Sequence, residues 1–399
     1  MQYDNGNFMS RIRAHKKKKV FVGMSGGVDS SVAALLLARA GYDVTGVFIK
    51  CYNIDGCAER DAEDARRVAS HIGIPFYVMD LEKEYKKRVV DYMIDGYARG
   101  VTPNPDVMCN KEIKFGLFLK KALSMGADYV ATGHYVRRLI SPYIFAKSVS
   151  GATPKSYSLQ KHKASHYYLG IAKDTNKDQS YFLWTLTQYE LQHSLFPIGH
   201  LTKPEVRVIA RKAGLPTAEK KDSQGICFLG MFDVRDFLKQ HIRTRRGEVI
   251  NAEGEVIGSH EGASLYTIGQ RHGLLFNAHA SRGSKKGVTP AYYVARKDIA
   301  HNIIVVGRGE RDPILFMKSV ILRDVNILMP IGNTTNVMVR TRYRQPLFVA
   351  VLKKIKEKKG NSYELVFNTP QRFVAEGQSA VFYKKGGGLV GGGIMVYNG

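Results

Sequence analysis

A short apolar run that leads into a glycine-rich turn constrains the fold of this chain more than any other feature. The run is Val20-Phe-Val-Gly-Met-Ser-Gly-Gly-Val-Asp-Ser-Ser31, which predicts a strand, a tight turn and the start of a helix. Backbone N–H groups in such a turn can converge on an anion, and the helix dipole adds to the attraction. Gly26 and Gly27 lack the Cβ atoms that would keep the backbone away from a ligand. The sequence therefore predicts an anion site where the first strand meets the first helix.

No lysine follows the glycines of this turn. The phosphate-binding loop of common NTPases reads G-x-x-x-x-G-K-[ST], and its lysine reaches the β- and γ-phosphates. The motif Ser25-Gly-Gly-Val-Asp-Ser30 instead resembles the pyrophosphate loop of enzymes that split ATP between the α- and β-phosphates and adenylate a substrate. This resemblance implies ATP and Mg²⁺, with Asp29 helping to hold the cation. A plain glycine turn between a strand and a helix is the alternative interpretation.

The alternation of predicted elements indicates an α/β domain followed by smaller β domains. Strands predicted at 43–50 and 129–132 alternate with helices, which implies a parallel sheet covered on both faces. Residues 140–169 break this pattern and are expected to form a surface excursion. Beyond residue 230 short alternating runs favour a small β domain and a β-barrel. We expect a lead-in at 1–18, an α/β domain at 19–229, a central domain at 230–297 and a barrel at 298–399.

The charge balance favours a polyanionic partner. The 399 residues include 60 Lys and Arg against 35 Asp and Glu, which gives a formal net charge of +25. Such a surplus is typical of proteins that bind nucleic acid, although a generally lysine-rich surface is the alternative. No apolar stretch approaches the roughly 20 residues that span a bilayer, so we expect a cytoplasmic protein without a membrane partner.

Two of the four cysteines are candidates for chemistry. The cysteines at 51, 57, 109 and 227 form no C-x-x-C pair, which favours neither a disulfide framework nor a zinc site and suits a reducing compartment. Cys109 precedes a helix predicted at 111–124, where a thiolate is favoured, and Asp106 is a candidate base nearby. A buried structural cysteine is the alternative for Cys109. Cys227 lies in a glycine-flanked, charged segment that favours an accessible thiol.

The complete set of motifs resembles one family. The set comprises Gly23-Met-Ser-Gly-Gly-Val-Asp-Ser30, Thr102-Pro-Asn-Pro-Asp-Val-Met-Cys-Asn-Lys-Glu-Ile-Lys-Phe115, Ala131-Thr-Gly-His-Tyr135, Lys177-Asp-Gln-Ser-Tyr-Phe182, Asp222-Ser-Gln-Gly-Ile-Cys-Phe228 and Tyr266-Thr-Ile-Gly-Gln-Arg-His-Gly273. In this order the motifs resemble the tRNA 2-thiouridylase (MnmA) family. The resemblance implies an adenine nucleotide alpha hydrolase-like (PP-loop) domain, a central domain and a tRNA-binding barrel. It also implies conversion of the wobble uridine of lysine, glutamate and glutamine tRNAs to 2-thiouridine.

The resemblance assigns residues to three roles. The implied nucleotide-binding residues are Gly23, Met24, Ser25, Gly26, Gly27, Val28, Asp29, Ser30, Ile49 and Gly133. The implied tRNA-binding residues are Asn104, Pro105, Asp106, His134, Lys177, Asp178, Gln179, Arg342, Tyr343 and Gln378. The implied catalytic residues are Cys109, Cys227 and Asp106, and no metal ligands are assigned. One departure is the stretch between His134 and Lys177, which is longer than the family usually has.

The mechanism implied by the family begins with adenylation of the uridine O2, because oxygen is otherwise a poor leaving group. Cys227, loaded as a persulfide by a sulfur-relay protein or a cysteine desulfurase, then supplies sulfur. Cys109 attacks the persulfide, which frees hydrosulfide or leaves a Cys109–Cys227 disulfide for a reductant to reset. One alternative is an iron–sulfur cluster held by Asp106, Cys109 and Cys227. Others are a different PP-loop ligase, such as a lysidine synthetase, and an RNA-binding module with a vestigial nucleotide site.

Overall fold

The chain folds into an α/β domain, a central β domain and a C-terminal barrel. The structure is a computed structural model, which describes residues 17–52, 54, 56, 58–141, 144–145, 159–160, 166–222, 233–281, 290–355 and 362–397. Within these ranges the strands form two five-stranded sheets, one closed barrel and two small two-stranded sheets. None of the described helices combines the length and the apolar character needed to cross a membrane.

The sheet of the α/β domain is parallel throughout, in the order β3-β2-β1-β4-β9. Its strands are β1 (Lys19–Gly23), β2 (Asp43–Lys50), β3 (Phe76–Asp80), β4 (Tyr129–Thr132) and β9 (Ser194–Leu195). Alternate residues of β1 face opposite sides: Val20 packs in one apolar cluster and Phe21 in another. This period of two places helices on both faces and confirms the predicted parallel sheet.

Helices of this domain cover the sheet and connect its strands. They are α1 (Val28–Arg39), α2 (Ala58–Ile72), α3 (Glu82–Tyr85), α4 (Asp91–Ala98), α5 (Pro105–Met108), α6 (Leu119–Ser124), α7 (Gln188–Gln192) and α8 (Lys203–Lys212). A π-helical segment, Lys86–Val90, joins α3 to α4, and another, Cys109–Phe118, joins α5 to α6. On one face α1, α2 and α8 share an apolar cluster that includes Val32, Val68 and Val206.

The helix that carries Cys109 begins earlier than the sequence predicted. We expected a start near Lys111, but the chain is helical from Pro105 onward. The reason is local: the Asn104 side chain accepts a hydrogen bond from the Val107 N–H at 3.2 Å, and a proline suits the first helical position. Cys109 therefore lies inside a continuous helix, one turn beyond its N-terminus, and the prediction that it precedes the helix was wrong.

Most of the predicted surface excursion at 140–169 lies outside the described residues. Its described parts contribute to an antiparallel hairpin. It pairs β5 (Arg137–Ser141) with β8 (His166–Gly170), while β6 (Ile144–Phe145) pairs with β7 (Leu159–Gln160). The end of β8 reaches the barrel, because the Ile171 N–H donates to the Gly387 carbonyl at 2.9 Å. The hairpin thus connects the α/β domain to the barrel.

In the described part of the central domain, one α-helix accompanies a mixed sheet in the order β12-β11-β10-β14-β13. These elements are α9 (Val234–Lys239), β10 (Gly247–Ile250), β11 (Val256–His260), β12 (Leu275–Phe276), β13 (Tyr292–Asp298) and β14 (Ile303–Arg308). β14 pairs with both β13 and β10. The sheet therefore extends beyond Asp298, where the sequence placed a domain boundary, as far as Arg308.

The C-terminal domain is a closed barrel in the order β15-β18-β17-β16-β19-β20. Its strands are β15 (Phe316–Ile327), β16 (Thr334–Arg340), β17 (Phe348–Ile355), β18 (Ser362–Arg372), β19 (Ser379–Tyr383) and β20 (Leu389–Val396). Leu322, Val339, Leu352 and Phe382 are fully buried in its core. The predicted barrel is confirmed, and its closure leaves no free sheet edge.

Candidate active site

The glycine-rich turn forms the strand–loop–helix unit that the sequence predicts. Beyond β1, the Met24 N–H donates to the Val47 carbonyl at 2.8 Å, so the chain stays on β2 for one more residue. Gly26 has a φ of +72°, and a Cβ there would lie 2.4 Å from the Asp61 carbonyl oxygen. Gly27 then caps α1 with extended backbone. Both the backbone angle and the available space therefore require glycine at position 26.

Two serines close this loop around the start of α1. The Ser25 N–H donates to the Ser30 hydroxyl oxygen at 3.2 Å. The Ser30 and Ser31 hydroxyls donate to the Gly27 carbonyl at 3.1 and 2.8 Å. The first N–H groups of a helix have no acceptor within it, so those of α1 remain available to a ligand. Together with the positive end of the helix dipole, they form an arrangement that suits phosphate oxygens.

Ile49 and Gly133, the two remaining predicted nucleotide residues, border the same loop. A Cβ on Gly133 would lie 2.6 Å from the backbone nitrogen of Ser30, so the chain after β4 packs directly on the start of α1. A Cβ on Gly23 would lie 3.9 Å from Ile49 Cδ1. The structure therefore brings together the whole predicted nucleotide set, which runs from Gly23 to Ser30 and adds Ile49 and Gly133.

Asp29, the carboxylate of this loop, is paired with a cation from a distant helix. Lys203 Nζ lies 2.8 Å from each Asp29 carboxylate oxygen, and the Tyr135 hydroxyl donates to Asp29 Oδ1 at 2.7 Å. Burial raises the pKa of Tyr135, and the charge of Asp29 raises it further, so the hydroxyl keeps its proton at neutral pH. Asp29, which we expected to help hold Mg²⁺, is bound here by protein groups.

Asp222 is the centre of an adjoining ion cluster. Its carboxylate accepts from Lys177 and Lys203 at 2.7 Å and from Arg207 at 3.0 Å. Burial alone would raise the pKa of Asp222, but hydrogen bonds from Lys177 and Lys203 outweigh this effect and lower it to about 2. Because Lys203 contacts both Asp222 and Asp29, one ammonium group links this cluster to the nucleotide loop.

Asp106 and Cys109 lie on the helix capped by Asn104. Cys109 is buried, and its apolar cluster is contacted by Ile49 of the predicted nucleotide site and by Met108. The Asn110 side chain donates to the Asp106 carbonyl at 3.0 Å, which supports the π-helical segment at this point. The predicted base and the predicted nucleophile are therefore one helical turn apart, and the apolar cluster that contains Cys109 is contacted by Ile49.

Lys114 acts electrostatically on both Asp106 and His134. Burial raises the pKa of Asp106, and the charge of Lys114 opposes that rise. Burial lowers the pKa of His134 well below its usual value, and Lys114 lowers it further. His134 Nδ1 lies 2.7 Å from the Thr132 hydroxyl oxygen. His134 is therefore neutral at pH 7 and largely hidden from solvent, and its predicted contact with tRNA stays a prediction.

Gln378 connects the barrel to the loop that precedes α5. Its side-chain amide donates to the carbonyls of Thr102 and Pro103 at 3.0 and 3.2 Å. The Thr102 N–H in turn donates to the Glu376 carbonyl at 2.8 Å. In this structure Gln378 therefore positions the start of the helix that carries Asp106, and its contact with tRNA stays a prediction.

The segment Lys177–Gln179 is also held by its neighbours. Asp178 is 1% exposed and accepts from Arg340 of the barrel at 2.9 Å. The Gln179 side-chain oxygen accepts from the Tyr135 N–H at 3.0 Å. Of the two charged side chains in the segment, Lys177 is the more exposed, and its ammonium group pairs with Asp222. Asp178 thus acts as an anchor for the segment.

Arg342 and Tyr343 lie where the three domains meet. The Arg342 guanidinium donates to the Ile268 carbonyl of the central domain and lies 5.7 Å from the centre of the Phe373 ring. Burial lowers the pKa of Arg342. The Tyr343 ring lies 4.4 Å from that of Phe182 in the α/β domain. Both residues are half-buried, so each retains some surface for a ligand.

Two of the four cysteines, Cys57 and Cys227, lie outside the described residues. The predicted role of Cys227 and its predicted disulfide with Cys109 therefore stay predictions. Among the residues that the structure describes, no group of three or more His, Cys, Asp or Glu side chains is placed to hold a metal ion. This finding does not test the iron–sulfur alternative, because that ligand set includes Cys227.

Sequence reasoning missed the ion cluster around Lys203 and Asp222. Asp222 was interpreted only as the start of a motif, and Lys203 was not singled out. The sequence signal that could have indicated this cluster is the position of Lys203 in the first turn of a helix, where the helix dipole disfavours a cation. The pairing of Lys203 with Asp29 spans 174 positions and leaves no periodic pattern in the sequence.

Comparison with known proteins accounts for all three domains. Residues 18–231 match a family described as tRNA methyl transferase HUP domain, and residues 235–308 match its PRC-barrel domain. Residues 318–395 match a family described as aminomethyltransferase beta-barrel domain.

Three relatives that align over nearly their full length are named tRNA-specific 2-thiouridylase MnmA. The relative from Alkaliphilus oremlandii is 42% identical over 378 residues, which cover 93% of this chain and 95% of the relative. The relative from Streptococcus mutans is 43% identical over 388 residues, or 96% of each chain. The relative from Pseudomonas entomophila is 43% identical over 386 residues, or 95% of each. With this identity over nearly its whole length, and with the nucleotide loop and the Asp106–Cys109 helix in place, the chain belongs to the MnmA family of tRNA-specific 2-thiouridylases.

Proposed function

We propose that this chain is an ATP-dependent tRNA-uridine 2-sulfurtransferase. Its relatives are named for thiolation of tRNA, and its site is consistent with that chemistry. The observation that carries the proposal is the placement of Asp106 and Cys109 on one helix whose core is contacted by Ile49 of the nucleotide site. A nucleotide loop and a thiol whose apolar cluster Ile49 contacts suit a reaction in which ATP activates an oxygen that sulfur then replaces.

ATP is held by the loop and the start of α1. The glycine at position 26 lets the backbone approach the phosphates, and the N–H groups of the first turn bind their oxygens. The uridine O2 attacks the α-phosphorus, the bond to the bridging oxygen of the β-phosphate breaks, and pyrophosphate leaves. Mg²⁺ bound with ATP, which Asp29 would help to hold, would supply positive charge to the phosphates.

Sulfur transfer follows on the activated carbon. The terminal sulfur of a Cys227 persulfide attacks C2, and AMP leaves with the former O2. The Cys109 thiolate then attacks the inner sulfur of Cys227, which leaves sulfur on the uridine and forms a Cys109–Cys227 disulfide. A thiol reductant restores both cysteines. Asp106, whose pKa is raised by burial, serves as the base near the uridine.

The tRNA binds through its phosphates and its wobble base. The net charge of +25 favours a long-range, salt-dependent attraction to RNA. The wobble uridine must leave the anticodon stack to reach Asp106, because a stacked base does not enter a site at this depth. By family resemblance the substrates are the lysine, glutamate and glutamine tRNAs. The sulfur comes from a relay protein or a cysteine desulfurase, in the cytoplasm.

Mass spectrometry of tRNA tests the proposal. An unmodified lysine tRNA transcript is incubated with the protein, ATP, Mg²⁺ and a persulfide donor. We expect the wobble nucleoside to exchange one oxygen for one sulfur, with equal amounts of AMP and pyrophosphate released. Cys109→Ser and Cys227→Ser variants should give no thiolated tRNA. Cys51→Ser, which changes a half-buried cysteine without a role in the proposed chemistry, should retain activity.

Two outcomes would contradict the proposal. One is tRNA of unchanged mass under these conditions, with folded protein. The other is a gain of a methyl group instead of the exchange of oxygen for sulfur, which would favour the methyl transferase named in the domain description.

A further inference from the structure

Lys203 is a buried lysine placed against the nucleotide loop. The solvent-exposed fraction of Lys203 is 9%. Its ammonium group contacts three carboxylate oxygens: both of Asp29, at 2.8 Å, and Asp222 Oδ1, at 2.7 Å. An ammonium group has three donors, so all of them are satisfied by these carboxylates. A lysine is rarely buried to this extent unless it is paired, and this one is paired with the loop that binds ATP.

The position of Lys203 is fixed by the start of α8. Thr202 caps this helix in a capping box with Glu205, and the Lys203 N–H donates to Asp174 Oδ2 at 2.9 Å. A cation in the first turn of a helix is disfavoured by the helix dipole. The helix therefore gains no stability from having lysine here, whereas the nucleotide loop gains a positive charge. Such a local conflict with helix preference is typical of functional sites.

The loop itself provides N–H donors but no cationic side chain. Residues Ser25–Ser30 contain no lysine or arginine, unlike the loop of common NTPases, in which lysine follows the glycines. When the bond between the α- and β-phosphates breaks, negative charge accumulates on the departing pyrophosphate. An ammonium group at this point would stabilise that charge.

We propose that Lys203 supplies the missing cation: when ATP binds, its ammonium group exchanges the Asp29 carboxylate for an oxygen of the pyrophosphate moiety. The exchange leaves Asp29 available to the Mg²⁺ that accompanies ATP. Asp222 does not become unpaired, because Lys177 and Arg207 still contact it. Lys203 donates hydrogen bonds and keeps its protons; the electron pair of the broken bond stays on the pyrophosphate oxygen. This inference rests on the proposed use of ATP by the loop.

Binding of inorganic pyrophosphate, measured by calorimetry without metal or tRNA, tests the inference. Loss of a charge-assisted hydrogen bond should weaken binding by Lys203→Met about 10- to 100-fold. The matched control is Lys220→Met. Lys220 is a half-buried lysine that also contacts two carboxylates, those of Asp61 and Asp64, and these are its ion-pair partners in place of Asp29. The control should bind pyrophosphate as the unchanged protein does.

The double variant Asp29→Asn with Lys203→Met separates phosphate binding from a structural role. If Lys203 only neutralises Asp29, removing both charges should restore pyrophosphate affinity, and that result would overturn the inference. If Lys203 contacts phosphate, the double variant should still bind weakly. The double variant also avoids an unpaired Asp29 if the single variant does not fold. Because neither tRNA nor sulfur is present, the result is independent of whether the protein thiolates tRNA.

Discussion

The Arg340 guanidinium lies 2.9 Å from the Asp178 carboxylate, and this ion pair joins the barrel to the α/β domain. The Asp178 side chain has no solvent exposure and that of Arg340 has 10%. Asp178 also accepts from the Ser180 hydroxyl at 2.9 Å, and Arg340 lies 5.6 Å from the centre of the Tyr383 ring. This buried ion pair fixes the position of the Lys177–Gln179 segment relative to the barrel.

Asp178→Asn should destabilise the protein by about 3–5 kcal/mol, because it leaves the buried charge of Arg340 without its counterion. Denaturation by urea measures this loss. Trp184, the single tryptophan of the chain, provides the signal, since its ring N–H donates to Ser379 of the barrel at 3.0 Å. Its fluorescence therefore reports on the same interface.

A second test changes the arginine of the buried pair, Arg340, and an exposed arginine, Arg211, serves as its control. Arg340→Met should be destabilising, because it removes the counterion of Asp178. Arg211→Met makes the same change in an exposed pair with Glu219 and should leave the urea midpoint nearly unchanged. Equal midpoints for the two variants would show that the buried pair does not join the domains energetically.

Gly26→Ala should abolish nucleotide binding, whereas Gly27→Ala should reduce it less. Position 26 has a φ of +72°, which costs an alanine about 1–2 kcal/mol, and the new Cβ would clash with the Asp61 carbonyl. At Gly27 a Cβ would meet only Ser25 Oγ, at 3.6 Å, and the φ of −93° suits any residue. Calorimetric titration with ATP compares the two variants, and equal losses would contradict the predicted loop geometry.

Structure that depends on neighbouring residues was predicted from the sequence more fully than structure that depends on distant residues. β2 spans Asp43–Lys50 and β4 spans Tyr129–Thr132, as predicted, because apolar runs between polar breaks are recorded locally. The start of α5 was missed because the helix was predicted to begin only at Lys111, although an asparagine followed by proline is typical of a helix start.

Local structure at the site could be predicted where one segment contains all of it. The glycine loop is such a segment, since its backbone angles and its helix lie within a dozen residues. The ion cluster is different, because Asp29, Lys203 and Asp222 meet only after the sheet has formed. The burial of Asp178 also depends on tertiary packing, which no local pattern in the sequence predicts.

Asp106→Asn should increase stability while it decreases thiolation. Burial raises the pKa of Asp106, so ionisation of this group is costly in the folded state. The stability gain of the asparagine variant should be largest at neutral pH and should shrink as the pH falls and the Asp106 carboxyl becomes protonated. Loss of a general base should lower the rate about 10²- to 10⁴-fold.

Thermal unfolding and single-turnover thiolation measure the two effects of Asp106→Asn. Glu112→Gln is the control: Glu112 lies on the same helix and pairs with Arg88 at 2.9 Å, away from the nucleotide loop. This variant should thiolate at the normal rate. Unchanged thiolation by Asp106→Asn would exclude Asp106 as the base.

Acid should weaken the fold through Asp222. Its pKa is about 2 in the folded protein, below the usual value of 3.8, because Lys177 and Lys203 outweigh the effect of burial. With a depressed folded-state pKa, the stabilisation is fully present above about pH 4 and is lost as the pH falls toward 2. After allowance for partial exposure, this stabilisation amounts to about 1–2 kcal/mol.

Urea denaturation of Asp222→Asn and the unchanged protein, from pH 6 to pH 3, should show a difference in unfolding free energy that narrows below about pH 4. Asp43→Asn, at an exposed position of β2, is the control and should change the urea midpoint little. An Asp222→Asn difference that stayed constant over this pH range would show that the lysines do not stabilise the Asp222 carboxylate.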